Sequence, residues 1–546
     1  MLLAVAAAPA GAQTADCPAC QPDRLIQSLP RGYDAVLMVN NASRQRQGAA
    51  GRALGELLRE AGALPETTAA WEEFARALDW TSEQAFDQLL GRRFTLVVRG
   101  LDGPGKPDWA ALTEVRPEAE RRLREKLEAA PRGNLAGLAV LAVEDGKYEL
   151  MVGRGPGAEP SRGAEQTAAV LLGPGGENPL FTELASSLRT RTGLAAPPSA
   201  WRAGQQDREC DLVLMLRRRG SGGERVLTLS ATTEGSGWDV RMVCSPGMVW
   251  DLPGSRVRSW SDAGFRTLEH DALVAAIGVT GGATLPAAIP SLVGLPLGPG
   301  FWPAAQGRLG AIVVHPALKR GASRPGSVDG RPALAIVDRD LPRVVGGSPV
   351  EPVALLGQWC ATVGIEASVP GGSEVEALAA RLGAALQTGQ VPDTASLPGD
   401  VSGAGPGFRS MALDEHFPIH ESLIGRLTRL VGEEPMLSWG QGRGTAVAAK
   451  QGKEPEFHPA WGTVSVSPSG ESMASADAAL LGTAVGGTSR ARLSIGVVRP
   501  AALASVLGRD DSLVPAWARR VELLRWEAWL RDDGMIETTL SLKMAR

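Results

Sequence analysis

Glycine and proline recur through this chain at 67 and 39 positions, about a fifth of its 546 residues, and no three-residue period governs them. That distribution constrains the fold more than any other feature. It excludes a collagen helix, and it predicts short elements joined by many turns. Apolar residues at 44% and charged residues at 21% supply enough core material for folding. The length exceeds one ordinary core and predicts two or three domains. The formal net charge is -4, so no global field draws the chain to nucleic acid or an anionic membrane. Only seven of the 56 cationic residues are Lys, which reads as codon bias.

The opening residues point to an address. Met1 to Ala12 form a short apolar stretch ending Ala10-Gly11-Ala12, with small residues where a signal peptidase cuts. Residues 1–12 therefore read as a signal-peptide remnant whose true start lies upstream, and 13–32 as a Cys-containing tail. Asp16 before Cys17 argues against a lipoprotein anchor. The longest uncharged stretch, Ala272 to Gly307, holds seven Gly and five Pro and cannot form one apolar spanning helix. The expected location is periplasmic or extracellular, without a transmembrane span.

Five Cys is an odd number for an exported protein. Cys17 and Cys20 have the spacing of a redox pair, yet no strand precedes them and Pro22 follows. A local disulfide or a metal clip is the plainer expectation. Cys210 and Cys244 flank three strands expected near 211–217, 225–231 and 238–243. A meander places them at opposite ends of parallel strands, roughly 20 Å apart, beyond disulfide reach. They are expected as buried thiols, as is Cys360 beside Trp359.

Periodicity organises the rest. Asp34 to Asn40 reads as an apolar strand. Helices follow, one carrying Leu54, Leu57 and Leu58, the next Trp71, Phe74 and Leu78. A third helix runs from a Thr81/Gln84 capping box to Gly91. Strands at 94–99 and 109–115, a helix from Pro117, and a hairpin turning on Asp145-Gly146 complete a domain over 33–190. A β-rich domain is expected over 206–345. A last domain over 353–546 holds a helix with Val375, Leu378, Leu382 and Leu386 on one stripe, a long loop at 387–407, and a closing hairpin turning on Asp532-Asp533-Gly534. The fold class this predicts is α+β: antiparallel sheets with helices packed on one face, in two to three similar domains. The apolar runs beginning at Asp34, Asp271 and Arg492 read as starts of equivalent modules.

Motifs for chemistry are sparse. Gly100 to Lys106 matches seven positions of a phosphate loop, but Pro107 replaces the Ser/Thr and a strand follows, so it reads as a hairpin loop. Gly440 to Gly444 leads into an expected strand and reads as a turn. There is no G-x-S-x-G elbow and no S-x-x-K pair. The best constellation is Asp414 to Glu421, where His416 and His420 stand with Glu415 and Glu421. Such groups suit a divalent metal such as zinc, with His458 as a third ligand. Pro418 prevents one regular helix from presenting both imidazoles, and a helix starting there would explain the acids through its dipole. His270, between two acids, is a lone candidate. No resident cofactor is otherwise expected.

Fourteen Trp stand against two Tyr. Trp71 and Trp526 fall on apolar stripes and read as core. Phe301 and Trp302, inside the uncharged Gly/Pro stretch, are candidates for apolar contact with a lipid or other hydrophobic ligand. The arginines at 121–124 and 217–219 read as solvated faces.

Tyr33–Asn40, the segment Phe86–Gly91, the strand Phe94–Arg99 and the hairpin 524–543 together resemble an uncharacterised bacterial family of exported proteins, a domain of unknown function. The resemblance implies an extracytoplasmic α+β protein and carries over no active residues. The leading expectation is a non-catalytic binding or scaffold protein serving an envelope partner. The alternatives are a metal-dependent hydrolase using His416 and His420, and a carrier of a lipid or other hydrophobic ligand.

Overall fold

In the computed structural model, the strand expected after Tyr33 forms as β1 (Ala35–Asn40), and all six of its residues are buried. The structure describes residues 32–60, 68–101, 107–115, 117–129, 133–135, 138–143, 148–154, 168–174, 178–190, 211–220, 223–248, 259–261, 265–266, 269, 272–279, 308–316, 318–319, 325–328, 331–334, 359–366, 373–390, 408–432, 434–441, 445–447, 456–468, 471–472, 491–508 and 516–545. The chain divides into two units, Met1–Met248 and Val249–Ala545.

The first unit is organised by one antiparallel sheet. Its strands are β1, β2 (Arg93–Arg99), β3 (Asp108–Val115), β4 (Gly133–Leu135), β5 (Leu138–Val143), β6 (Tyr148–Arg154), β7 (Ala168–Pro174), β8 (Leu212–Gly220), β9 (Gly223–Glu234) and β10 (Gly237–Cys244). Their order in space is β4-β5-β6-β7-β3-β2-β1-β8-β9-β10. The meander β8-β9-β10 thus continues the sheet of β1.

Beside this sheet lie α1 (Ala42–Gln47), α2 (Ala49–Glu60), α3 (Thr68–Ala77), α4 (Ser82–Ala85), α5 (Pro117–Ala129) and α6 (Pro179–Thr190). Successive β1 side chains face opposite ways. Leu37 and Val39 pack with Ala75, Phe86, Leu89 and Leu123. Val36 and Met38 pack with Leu180, Phe181 and Leu184 of α6. The Thr81/Gln84 capping box is present, but the helix it opens widens into a π-turn at Phe86–Leu90 before Gly91.

The strands of the second unit, paired antiparallel, are β11 (Val274–Val279), β12 (Leu309–Pro316), β13 (Trp359–Glu366), β14 (Phe408–Ala412), β15 (Pro435–Gln441), β16 (Trp461–Pro468), β17 (Ala491–Val498), β18 (Val521–Leu530) and β19 (Ile536–Met544). The spatial order is β14-β15-β16-β13-β12-β11-β17-β18-β19. One face carries Val363, Val464, Leu437 and Trp439 against α7 (Ser373–Thr388), α8 (Glu421–Val431) and α9 (Pro500–Leu507). The other carries Ile277, Val313, Ile495 and Trp461 with Trp260 and Phe265.

The expected α+β class is therefore overturned. Strand outweighs helix among the described residues, and the strands build large antiparallel sheet rather than repeated small domains with helices on one face. The runs at Asp271 and Arg492 do not open separate modules, because β11 and β17 are adjacent partners. Two physical reasons account for the difference. The Ala35–Val39 run is apolar at successive positions, so both of its faces require cover, and helices supply it on both sides. Glycines also sit inside strands of the second unit, at Gly278, Gly364, Gly462 and Gly496, where the sequence pattern reads as a break.

Candidate functional site

The segment 412–421 is placed by its apolar residues. Leu413 and Phe417 are buried in the core beneath α7 and α8, while Asp414, Glu415, His416 and Glu421 are exposed. Asp414 closes the turn: its Oδ1 accepts from the His416 amide at 2.8 Å, and its carbonyl accepts from the Phe417 amide at 3.0 Å. The His416 side chain is 82% exposed, with Nδ1 3.6 Å from Asp414 Oδ1.

His420 has a different task. It is the N-cap of α8, which begins at Glu421 rather than at Pro418 as the sequence suggested. Its amide donates to the Leu386 carbonyl at 2.9 Å. Its Nδ1 accepts from the Ser422 amide at 3.3 Å and lies 2.7 Å from the Ser422 hydroxyl. Gly389, at φ 71°, passes so close that a Cβ there would lie 3.2 Å from that same nitrogen. Among the described residues, no group of three His, Cys, Asp or Glu side chains is placed to hold a metal ion. His458 lies on a short ribbon opposite Thr445. Cys17, Cys20, Cys210, His270, Phe301, Trp302 and the apolar leader lie outside the described residues.

A second set of polar groups occupies the sheet face of the second unit turned away from the helices. Alternation along β16 points Val464 and Val466 to the helices and Trp461, Thr463, Ser465 and Ser467 to the other side. The same rule places Cys360, Thr362 and Glu366 of β13, and His315 of β12, on that face. All of them are buried. The Thr362 hydroxyl lies 2.7 Å from Ser465 Oγ and 3.5 Å from His315 Nε2, a row across three strands. Cys360 stands directly opposite His315 in the ladder. Glu366 faces Trp461, and its Oε2 accepts from the Leu309 amide at 3.1 Å.

Between these rows lies Thr463. Its register partners are Gly364 on one side and Gly440 on the other, so neither neighbouring strand projects a side chain beside it. Its hydroxyl has no hydrogen-bond partner among the described residues, and neither does the indole N–H of Trp461. Sequence reasoning missed this face. The available signal was the strict alternation Thr463-Val-Ser465-Val-Ser467, a strand with one hydroxyl-bearing side.

No helix among the described residues is long and apolar enough to cross a membrane. No protein-family model matches the chain. No curated protein matches it. Two solved structures, crystal forms IV and I of TP0453, are similar to part of it, each at 10% identity and a TM-score of 0.24. They cover 40% and 41% of this chain, and 79% of TP0453 in both cases.

Proposed function

We propose that this chain is an exported, non-catalytic binding or scaffold protein of the cell envelope. The observation that carries the reading is how its chemically capable side chains are used. The His420 imidazole caps a helix, Asp414 closes a turn, and the hydroxyls of Thr362 and Ser465 bond to each other inside a sheet. Nucleophilic and acid–base catalysis need such groups within reach of a substrate, and here their hydrogen-bonding capacity serves the fold. Export is supported by the apolar stretch ending Ala10-Gly11-Ala12, which has the form of a processing site. The expected partner is an envelope protein or a hydrophobic ligand.

Metal analysis of the purified protein separates this reading from metal-dependent hydrolysis. The expected result is far less than one equivalent of zinc per chain, unchanged by His416→Ala. One equivalent per chain that is lost in the variant would overturn the proposal in favour of a metal-dependent hydrolase.

A further inference from the structure

In the first unit, the sheet face that carries Leu37 and Val39 is covered by helices over only part of its length. Around Val39 and Phe94, residues of α1, α3 and α5 bury it. The Trp238 indole N–H donates to the Ala50 carbonyl of α2 at 3.3 Å and extends the cover to β10. Toward the other end of the strands the side chains become accessible. Alternation places Leu214 and Leu216 of β8, Leu229 of β9, and Val240 and Met242 of β10 on this face, and all five are partly exposed. Leu96 of β2 and Trp109 of β3 continue the strip on the far side of β1, and both are partly exposed too. Leu101, just beyond the end of β2, is 48% exposed. From β2 to β10 the strip is about 19 Å wide, four strand spacings.

Charge on this strip is confined to one place. Among the residues that β1, β2, β8, β9 and β10 turn to this face, the charged ones are Arg218 and Arg225. Both are exposed, and they stand directly opposite each other in the ladder, two positions beyond Leu216 and Leu227, at the end away from the helices. Like charges so placed repel, and an anion seated between two guanidiniums relieves the repulsion through charge-assisted hydrogen bonds. Arg225 Nη1 donates to the Gly247 carbonyl at 3.0 Å, a neutral partner. We propose that this strip binds one anionic diacyl phospholipid, with its phosphate between Arg218 and Arg225 and its acyl chains over Leu214, Leu216, Leu229 and Met242. The assignment deepens the reading of the chain as a binding protein for a hydrophobic ligand and rests on it. The width of the strip suits two acyl chains side by side, and the helices over Val39 and Trp238 close its far end. A bilayer surface is the poorer fit, because it calls for a broad field of cations and the chain carries a formal net charge of -4. A second copy stacked face to face would bring no carboxylate from these strands to the arginines.

The test incubates the delipidated full chain with vesicles of phosphatidylglycerol or of phosphatidylcholine, separates it from them by flotation, and quantifies the lipid extracted with it. The expected result is about one phosphatidylglycerol per chain on vesicle-free protein, and roughly fivefold less phosphatidylcholine. Arg218→Gln combined with Arg225→Gln should bring phosphatidylglycerol down to the phosphatidylcholine level without lowering Tm, since both side chains are exposed. Leu216→Gln should reduce uptake of both lipids, with far-UV circular dichroism checking that the variant folds. No uptake of either lipid, or equal uptake that the arginine variant leaves unchanged, would overturn the site. So would protein that floats with phosphatidylglycerol vesicles, which marks contact with a membrane surface, or a dimer in light scattering that Leu216→Gln dissolves. A metal-free protein that takes up neither lipid defeats the ligand alone. Stoichiometric zinc lost in His416→Ala defeats the underlying reading, whatever the lipid measurement shows.

Discussion

The imidazole of His420 holds the first turn of α8 through its Nδ1 lone pair, a role more often given to Asp, Asn, Ser or Thr. Replacing His420 by Ala should therefore destabilise the protein by about 1 kcal/mol in urea denaturation, with His420→Asn recovering most of the loss. Tyr33 illustrates a residue whose surroundings change its chemistry. Burial pushes its phenol above the ordinary value of 10.0; the Arg217 guanidinium over its ring pulls it back in part, and Glu224 adds a smaller push upward. A group whose folded value is raised contributes stability fully below the unfolded value and loses it as pH climbs through the folded one. Stability should thus be insensitive to Tyr33 up to about pH 10 and fall above it. The chain has only two Tyr, so absorbance titration of wild type and Tyr33→Phe resolves the late-titrating phenol directly. In Tyr33→Phe, the alkaline loss in urea midpoint should shrink. Neither behaviour is legible from the residues alone, because each depends on neighbours distant in sequence: Leu386 and Gly389 for His420, Arg217 for Tyr33.

At the level of elements, glycine does two jobs that look alike in one dimension. Gly534 turns the closing hairpin at φ 79°, with its amide on the Arg531 carbonyl, as the Asp-Asp-Gly signal predicts. Gly496 instead lies inside β17, where the Trp526 ring occupies the space a Cβ would need. Gly462 yields similarly to Val375 of α7. Gly496→Ala should cost about 1–3 kcal/mol by forcing Trp526 off its packing, read as a lower urea midpoint with secondary structure retained. A Gly in a strand pattern signals a bend or a close approach, and only the facing strand decides which. The third helix carries the same lesson. Its capping box was legible at Thr81 and Gln84, yet its end is a π-turn. Gly91 there packs against Ser43, whose hydroxyl bonds to Asp87 at 2.5 Å, and that contact spans 44 residues.

For the whole molecule, the decisive events are strand pairings over long intervals. β1 takes β2 on one side and β8 on the other, uniting residues 35–40 with 212–216. β11 takes β12 and β17, the latter more than 200 residues away. Local patterns are blind to such pairings, so domain-sized blocks of sequence read as modules where the chain builds broad antiparallel sheet. The candidate site was illegible for a related reason. His315, Thr362 and Ser465 are spread over 151 positions of sequence and meet only because three strands align in one register. Taken alone, the sequence determined part of the strands and helices, among them β1, β2, β3 and α7, where the closing hairpin turns, and that the phosphate-loop resemblance at Gly100 to Lys106 joins two strands, because these follow from residue periodicity and turn chemistry. Tertiary structure decided which strands share a sheet, which glycines admit a neighbour rather than a turn, and that His420 caps a helix. Those outcomes depend on contacts between residues far apart in the chain, and a linear pattern carries no term for them.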